Sequence, residues 1–344
     1  MSRSALPLVA VLLVFAFALP ANAHHSQAGI FDSSRTIEIT GTIKSISWRN
    51  PHGQIILETV DENGDVVEWD AETASISILR NRGVDGSSVV VGDRVTVAGA
   101  PPVRNRRQIL ARSILLSSGY EFTFGSADAY FPAGKAGRIV GRATIEANVE
   151  DAVAKADGLF RVWSTIMSDP AAFPMFTGGY PLNDAARAKL AEWNPRDNAL
   201  LRCGTKGTPL IMISPLPMEF VRDGDDIVLK IEEYDSVRRI HMAPDATPPA
   251  EHTLFGFSRG RWDGTALVVE TTQIAAGYFD HEGTPQSDRI RVTERFTPNA
   301  DYTRLDYRLT VDDPEYFTEP FELTRYFVWK PENSVHPYEC LDRF

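Results

Sequence analysis

Gln54-Ile55-Ile56-Leu57-Glu58-Thr59-Val60, Asp61-Glu62-Asn63-Gly64 and Val66-Val67-Glu68-Trp69-Asp70-Ala71 decide the fold of the first half of the chain. Two runs rich in β-branched and aromatic residues flank an Asn-Gly turn, which reads as a β-hairpin. Upstream, Thr36–Trp48 alternates, with Ile37, Ile39, Ile43 and Ile46 as its apolar set and a bend expected near Gly41. Asn50-Pro51-His52-Gly53 is a turn by composition. Downstream, Ala74–Arg80 reads as a short helix. Val89–Ala98 contains Val91-Gly92-Asp93-Arg94-Val95, a turn between a short strand and a longer one. Gln108–Leu116 is the last strand. Five strands and one short helix suit a small Greek-key barrel of the OB type, with a sandwich as the competitor.

Residues 1–23 read as a secretory signal. Arg3 is their only charge, Leu8–Leu19 is unbroken apolar sequence, and Ala21-Asn22-Ala23 fits a small-x-small cleavage site. The run is too short to span a bilayer, which takes about 20 apolar residues. The expected product is soluble, periplasmic or secreted, with no integral membrane segment after processing. Cleavage after Ala23 would leave His24 as the N-terminus. Its amine and imidazole together chelate one metal ion, and a further imidazole from His25 or His52 completes a three-nitrogen plane that suits Cu(II). Cleavage after Ala21 would instead put a histidine third from a free amine, which also favours square-planar copper or nickel. The plainer reading has His24 and His25 as polar residues opening the mature chain and His52 as a turn residue.

The chain of 344 residues carries a formal charge of −11, and removing the signal takes away Arg3 alone. This acidity disfavours nucleic acid and anionic membrane surfaces as partners. Arg104, Arg106 and Arg107 form a local basic cluster that reads as a solvated hairpin tip. Length allows two domains with cores of their own. Cys203 and Cys340 are the only cysteines. In an oxidising compartment an even pair suggests one disulfide, two separate thiols being the alternative.

Tyr120–Glu146 is rich in Gly, Ala and aromatics and reads as a linker, with a short helix expected over Ala147–Ala156. Gly158–Trp163 is an expected first strand. Pro170–Pro181 is loop. Asn183 caps a helix whose Leu182, Ala186, Leu190 and Trp193 fall at helical spacing and which Pro195 ends. Strands are then expected at Met218–Arg222, Ile227–Glu233, Val237–Met242, Thr253–Ser258, Ala266–Thr272, Arg289–Phe296, Arg304–Val311 and Phe321–Trp329. Seven or eight meandering strands indicate an up-and-down barrel or a sandwich. The division expected is 1–23 signal, 24–119 first barrel, 120–156 linker and 157–344 second barrel, a mainly β protein with a few short helices.

His24-His25-Ser26, Phe31-Asp32, Gly41-Thr42-Ile43, Trp48-x-Asn50-Pro51-His52, Asn63-Gly64 and Gly92-Asp93-Arg94-Val95-Thr96-Val97-x-Gly99 resemble a family of exported bacterial domains of unknown function. The resemblance places His24, His25 and His52 on matching positions and brings no activity with it. Farther on, Asn194-Pro195, Arg202-Cys203, Glu233 with Arg238-Arg239-Ile240, Gly256-x-Ser258-x-Gly260-x-Trp262-x-Gly264, Leu267–Thr272, Glu294-Arg295-Phe296 and Glu339-Cys340 resemble an exported bacterial domain with a lipocalin-like, calycin-type barrel. Arg161 stands where such barrels carry a glycine before Trp163. A barrel of that kind implies a small hydrophobic molecule in its mouth.

Gly256-Phe257-Ser258-Arg259-Gly260 fits a nucleophile-elbow pattern, but a turn and a strand follow where the elbow needs a helix, so a hairpin is the better reading. Arg239 and His241 share one face of their strand. If that face points into the barrel they could hold a carboxylate or enolate, with Glu233 as base. If it points outward, the charges form a cross-strand ladder in water. Asp280-His281-Glu282 is a loop cluster whose consecutive ligands give poor geometry for one ion, and His252 and His336 read as surface positions. No P-loop, Rossmann fingerprint, Cys-x-x-Cys or His-Glu-x-x-His occurs. The first functional reading is therefore an exported binding protein with an N-terminal Cu(II) site and a small hydrophobic ligand in the second barrel. The second is a cofactor-independent hydrolase, isomerase or lyase using Glu233, Arg239 and His241. The third is a structural or partner-binding envelope protein.

Overall fold

A computed structural model describes residues 31–50, 52–80, 89–104, 106–124, 130–131, 142–167, 169–174, 176, 178–194, 198, 203–338 and 340, without the side chains of 142–148. Residues 1–23, read from sequence as a secretory signal, lie outside the described residues, as do His24 and His25.

The first barrel is built from β1 (Ile37–Ser47), β2 (Gln54–Val60), β3 (Val66–Glu72), β4 (Arg94–Ala100) and β5 (Gln108–Leu116), with helix α1 (Ile76–Arg80) between β3 and β4. β1 pairs with β2 and with β4, β4 pairs with β5, and a parallel contact between β3 and β5 closes the ring. This is the OB-like five-stranded barrel. Alternation turns Ile43, Ile55, Leu57, Val95, Val97, Ile109 and Ile114 inward, and Leu79 of α1 plugs one end. A short β6 (Glu121–Thr123) adds to β5, so the segment expected as linker begins as part of this sheet. Glu121 is buried there, and its carboxylate accepts from Ser113 Oγ and from the amides of Tyr130 (2.6 Å) and Phe131 (3.2 Å).

After α2 (Arg142–Lys155) come β7 (Val162–Ser164) and α3 (Asp184–Ala191); the Asn183 side chain accepts from the Ala186 amide at 2.9 Å, as its cap position requires. Then follow β8 (Met218–Asp223), β9 (Asp226–Ile231), β10 (Ser236–His241), β11 (Phe257–Asp263), β12 (Ala266–Thr272), a small ribbon of β13 (Gly277–Tyr278) and β14 (Pro285–Gln286), β15 (Arg291–Pro298), β16 (Arg304–Asp312) and β17 (Phe321–Trp329). Nine of these strands close into a barrel that follows chain order, β7-β8-β9-β10-β11-β12-β15-β16-β17. One contact departs from the expected up-and-down pattern, because β10 and β11 run parallel. The reason is the long connection between them, which returns the chain to the same end of the barrel. The second departure is β11 itself. Its expected span ended at Ser258 before an Arg-Trp-Asp-Gly turn, yet the strand continues through Trp262 to Asp263 and turns only at Gly264.

Large side chains fill the second barrel. Trp163, Phe220, Leu229, Ile240, Leu267, Val269, Phe296, Tyr307 and Leu309 are all buried in one core. Cys203 and Cys340 form a disulfide with Cα atoms 6.0 Å apart, tying the end of the chain back to the second barrel. Among the described residues no helix is long and apolar enough to cross a membrane.

Candidate functional site

Side chains alternate along β10, and the alternation settles the charged cluster. Arg238 points in, where it is 1% exposed. Its guanidinium grips both carboxylate oxygens of Glu294 on β15, one at 3.0 Å, and lies 3.4 Å from Thr271 Oγ1. Tyr307 donates its hydroxyl to Glu294 at 2.9 Å, and Ser258 shares a hydrogen bond of 2.8 Å with Thr271. Burial works against the charge of Arg238, and Glu294 outweighs it, so the net direction is upward. Burial also pushes the Tyr307 phenol well above its ordinary value. This is a connected network inside a packed barrel, in which only the Arg238 Nε among the guanidinium nitrogens lacks a hydrogen-bond partner.

Arg239 and His241 face out. Arg239 pairs with Asp223 and with Asp226 (3.3 Å), and His241 Nδ1 lies 3.1 Å from Asp226 Oδ2. The His241 ring stacks on Phe257, with centroids 4.8 Å apart. The Met242 amide, opposed by partial desolvation and helped by Arg239 and His241, holds the Asp226 carboxyl below its usual range. Glu233 sits in the turn before β10, where Lys206 Nζ contacts both its oxygens at 2.7 and 2.8 Å. β10 rises about 3.3 Å per residue, so its whole length separates Glu233 from His241. The three residues expected as a catalytic set therefore do not converge, and the inward place belongs to Arg238.

Ser258 also fails as a nucleophile, because it points into the core and is 2% exposed. Its flanking glycines have structural causes. Gly256 has φ +67°, and a Cβ there would come within 2.5 Å of the Thr272 carbonyl oxygen; at Gly260 it would meet Met242 Sδ at 2.5 Å. In the Asp280-His281-Glu282 loop, the Asp280 carboxylate accepts from the Glu282 and Thr284 amides and the Thr284 hydroxyl, which makes it a turn brace.

A groove opens beside this outer face. β10 and β11 meet through Ile240–Ser258 and His241–Arg259 only. Beyond Arg259, among the described residues, Gly260–Asp263 pair with β12 alone. The gap between that strand edge and the β8–β9 turn holds about 600 Å³. Phe160, Ile227, Met242, Pro244 and Trp262 give it apolar walls, and Arg222, Arg259, Arg261, Asp225, Asp226 and Glu270 give it a charged rim. Trp262 is 44% exposed, and its ring meets Phe160 edge-on at 6.3 Å. Arg222 lies 3.7 Å over the Phe160 ring and pairs with Asp157 at 2.8 Å. Trp262 and Met242 were visible in the sequence only as a turn residue and a strand end, because the gap arises from a parallel contact that local pattern does not reveal.

The Asn-Pro-His turn works in two directions. His52 lies 3.2 Å from the Thr73 carbonyl through Nδ1 and 3.6 Å from Glu72 Oε1. Asn50 is 1% exposed, donates to Ser77 Oγ at 3.3 Å, and its backbone bridges to Cys340 at the far end of the chain. Among the described residues no three His, Cys, Asp or Glu side chains gather at metal-binding distance. His336 proves half-buried, not a surface position. Burial and then Arg80 push its imidazole down.

Residues 11–110 match the model of a family of unknown function, DUF6152, and the match stops short of the second barrel. No curated protein matches the chain.

Proposed function

We propose that this is an exported binding protein whose second barrel holds a small, largely hydrophobic molecule in the groove between β11 and the β8–β9 turn. One observation carries the reading. The barrel interior is filled, whereas the unpaired stretch of β11 leaves a cleft with an exposed Trp262 beside Phe160 and Met242. Its apolar walls face six charged residues at the rim, a lining that suits an amphipathic molecule with its apolar part against Trp262. Arg259 and Arg261 favour a ligand that carries an acidic group at one end. Export rests on residues 1–23, and the disulfide supports an oxidising compartment. The test is titration with the amphipathic anion anilinonaphthalene sulfonate, followed by its fluorescence. Trp262→Ala should weaken binding about tenfold, as loss of a central aromatic anchor does. Binding that ignores this substitution removes the groove from consideration.

A second reading concerns the first barrel: Cu(II) held by the amine and imidazole of a processed His24 with His52 or His25. An Nδ1–H donated to the Thr73 carbonyl makes Nε2 the basic nitrogen of a neutral His52, the arrangement metal-ligating histidines usually have. Reach also favours it. The chain enters the barrel where the Asp32 amide donates to the Pro101 carbonyl at 2.8 Å. Ala100 neighbours Leu110, and Leu110 neighbours Glu72, so about 10 Å of sheet lies between that point and the His52 side. The stretch from His25 to Phe31 spans up to about 20 Å when extended. In processed protein, His24→Ala should abolish tight Cu(II) binding by calorimetry; unchanged binding rules the site out.

A further inference from the structure

Among the described residues, Glu232 is the most deeply buried carboxylate outside the barrel interior, at 0% exposure, and it sits between α1 of the first barrel and the chain segment around His336. From the first barrel, α1 brings Ser77 and Arg80 against it. Asn50, hydrogen-bonded to Ser77, extends this contact by its backbone bridge to Cys340. The other side is the C-terminal strap. The His336 amide donates to Glu232 Oε2 at 3.1 Å, Arg80 donates to the Pro337 carbonyl at 3.3 Å, and the Tyr338 amide donates to Asp235 Oδ1 at 2.9 Å. Tyr338 packs on Tyr234 with ring centroids 4.9 Å apart. The disulfide fastens the strap to the second barrel, so Glu232 is clamped between that strap and α1 of the first.

We infer that this joint is a proton-controlled lock, shut while Glu232 carries its proton and loosened when the proton leaves. A carboxylate here has little water to solvate it, and its partners compensate only in part. Burial pushes the Glu232 carboxyl up to about 7; Ser77, the His336 amide and Arg80 pull the other way, and Asp235 adds to the rise. Glu233 next door is engaged by Lys206, and the phenols of Tyr234 and Tyr338 are pushed up by burial, so those phenols stay neutral. The sign follows from linkage. The closed joint binds the proton more tightly than an open one, so closure is fully favoured below the ordinary carboxyl value and weakens as pH rises through about 7. His336 titrates in the opposite sense. Its imidazole is pushed down in the closed joint, so protonation of His336 at lower pH favours opening. The lock is therefore tightest at mildly acidic pH.

The experiment is hydrogen exchange of the α1 and strap amides, expressed as protection, at pH 5.5 and pH 8 in a His336→Gln background that removes the opposing titration. Protection should fall about 25-fold at the higher pH, for a carboxyl at about 7 when closed and 4.5 when open. Adding Glu232→Gln should flatten the profile. A flat profile in the single variant, or an unchanged slope in the double, overturns the lock. An infrared difference spectrum of the unmodified protein gives an independent check. A protonated-carboxyl band that fades near pH 7 and is missing in Glu232→Gln is expected, and its absence at pH 5.5 refutes the inference.

Discussion

Arg238 faces the interior of the second barrel, where Glu294 pairs with it and Tyr307 donates to Glu294, whereas Arg239, one residue on, faces water and pairs with Asp223 and Asp226 beside the groove. Both strand faces carry charge, and they do different things. Inside, the polar groups answer one another in a space packed with aromatic and aliphatic side chains, so the network organises the barrel. Outside, the ladder breaks where β10 ends, and the break leaves an open cleft. In this barrel the cleft follows from missing strand pairing, and the density of charged residues is a poor guide to it.

Five variants probe that contrast, beginning with the interior. Glu294→Gln leaves Arg238 charged and buried without its partner, and should cost about 3–5 kcal/mol in denaturant unfolding. Replacing the pair together, Arg238→Met with Glu294→Leu, should recover most of that loss, as expected of a structural pair. Lys206→Met strands Glu233 under its turn, where the pair is less enclosed, so about 2–3 kcal/mol is expected in the same measurement. Trp262→Ala should change unfolding by less than about 0.5 kcal/mol, since the ring is half in water, while weakening groove binding about tenfold. Arg239→Ala, on an exposed ladder, should leave stability within error. If Arg239→Ala proved as damaging as Glu294→Gln, the division between inner and outer faces would be wrong.

Much of the fold could be read locally. β2, β5 and β17 run as alternation and turn residues indicate, and the Asn63-Gly64 hairpin and the Asn183 cap lie where their chemistry puts them. What could not be read was long-range. The parallel β10–β11 contact depends on where a long connection delivers the chain, and pairing with β12 carries β11 through Trp262 to Asp263, so that only Gly264 of the Trp-Asp-Gly signal turns. The inward Arg238 runs against the usual preference of charges for water, and only a carboxylate on β15 makes it stable. Asn50 reads as a turn residue because its partners, Ser77 and Cys340, are distant in sequence. For the site, the outer face of Arg239 and His241 was one of two readings open, while Glu233 was drawn to them by sequence proximity and lies at the other end of β10.

Native mass spectrometry of the protein purified from cells under non-denaturing conditions tests the binding account most directly. The account predicts a small-molecule adduct on the wild-type chain that is lost or sharply reduced in Trp262→Ala. A wild-type chain that flies without any adduct, or an adduct equally retained by the variant, would contradict it.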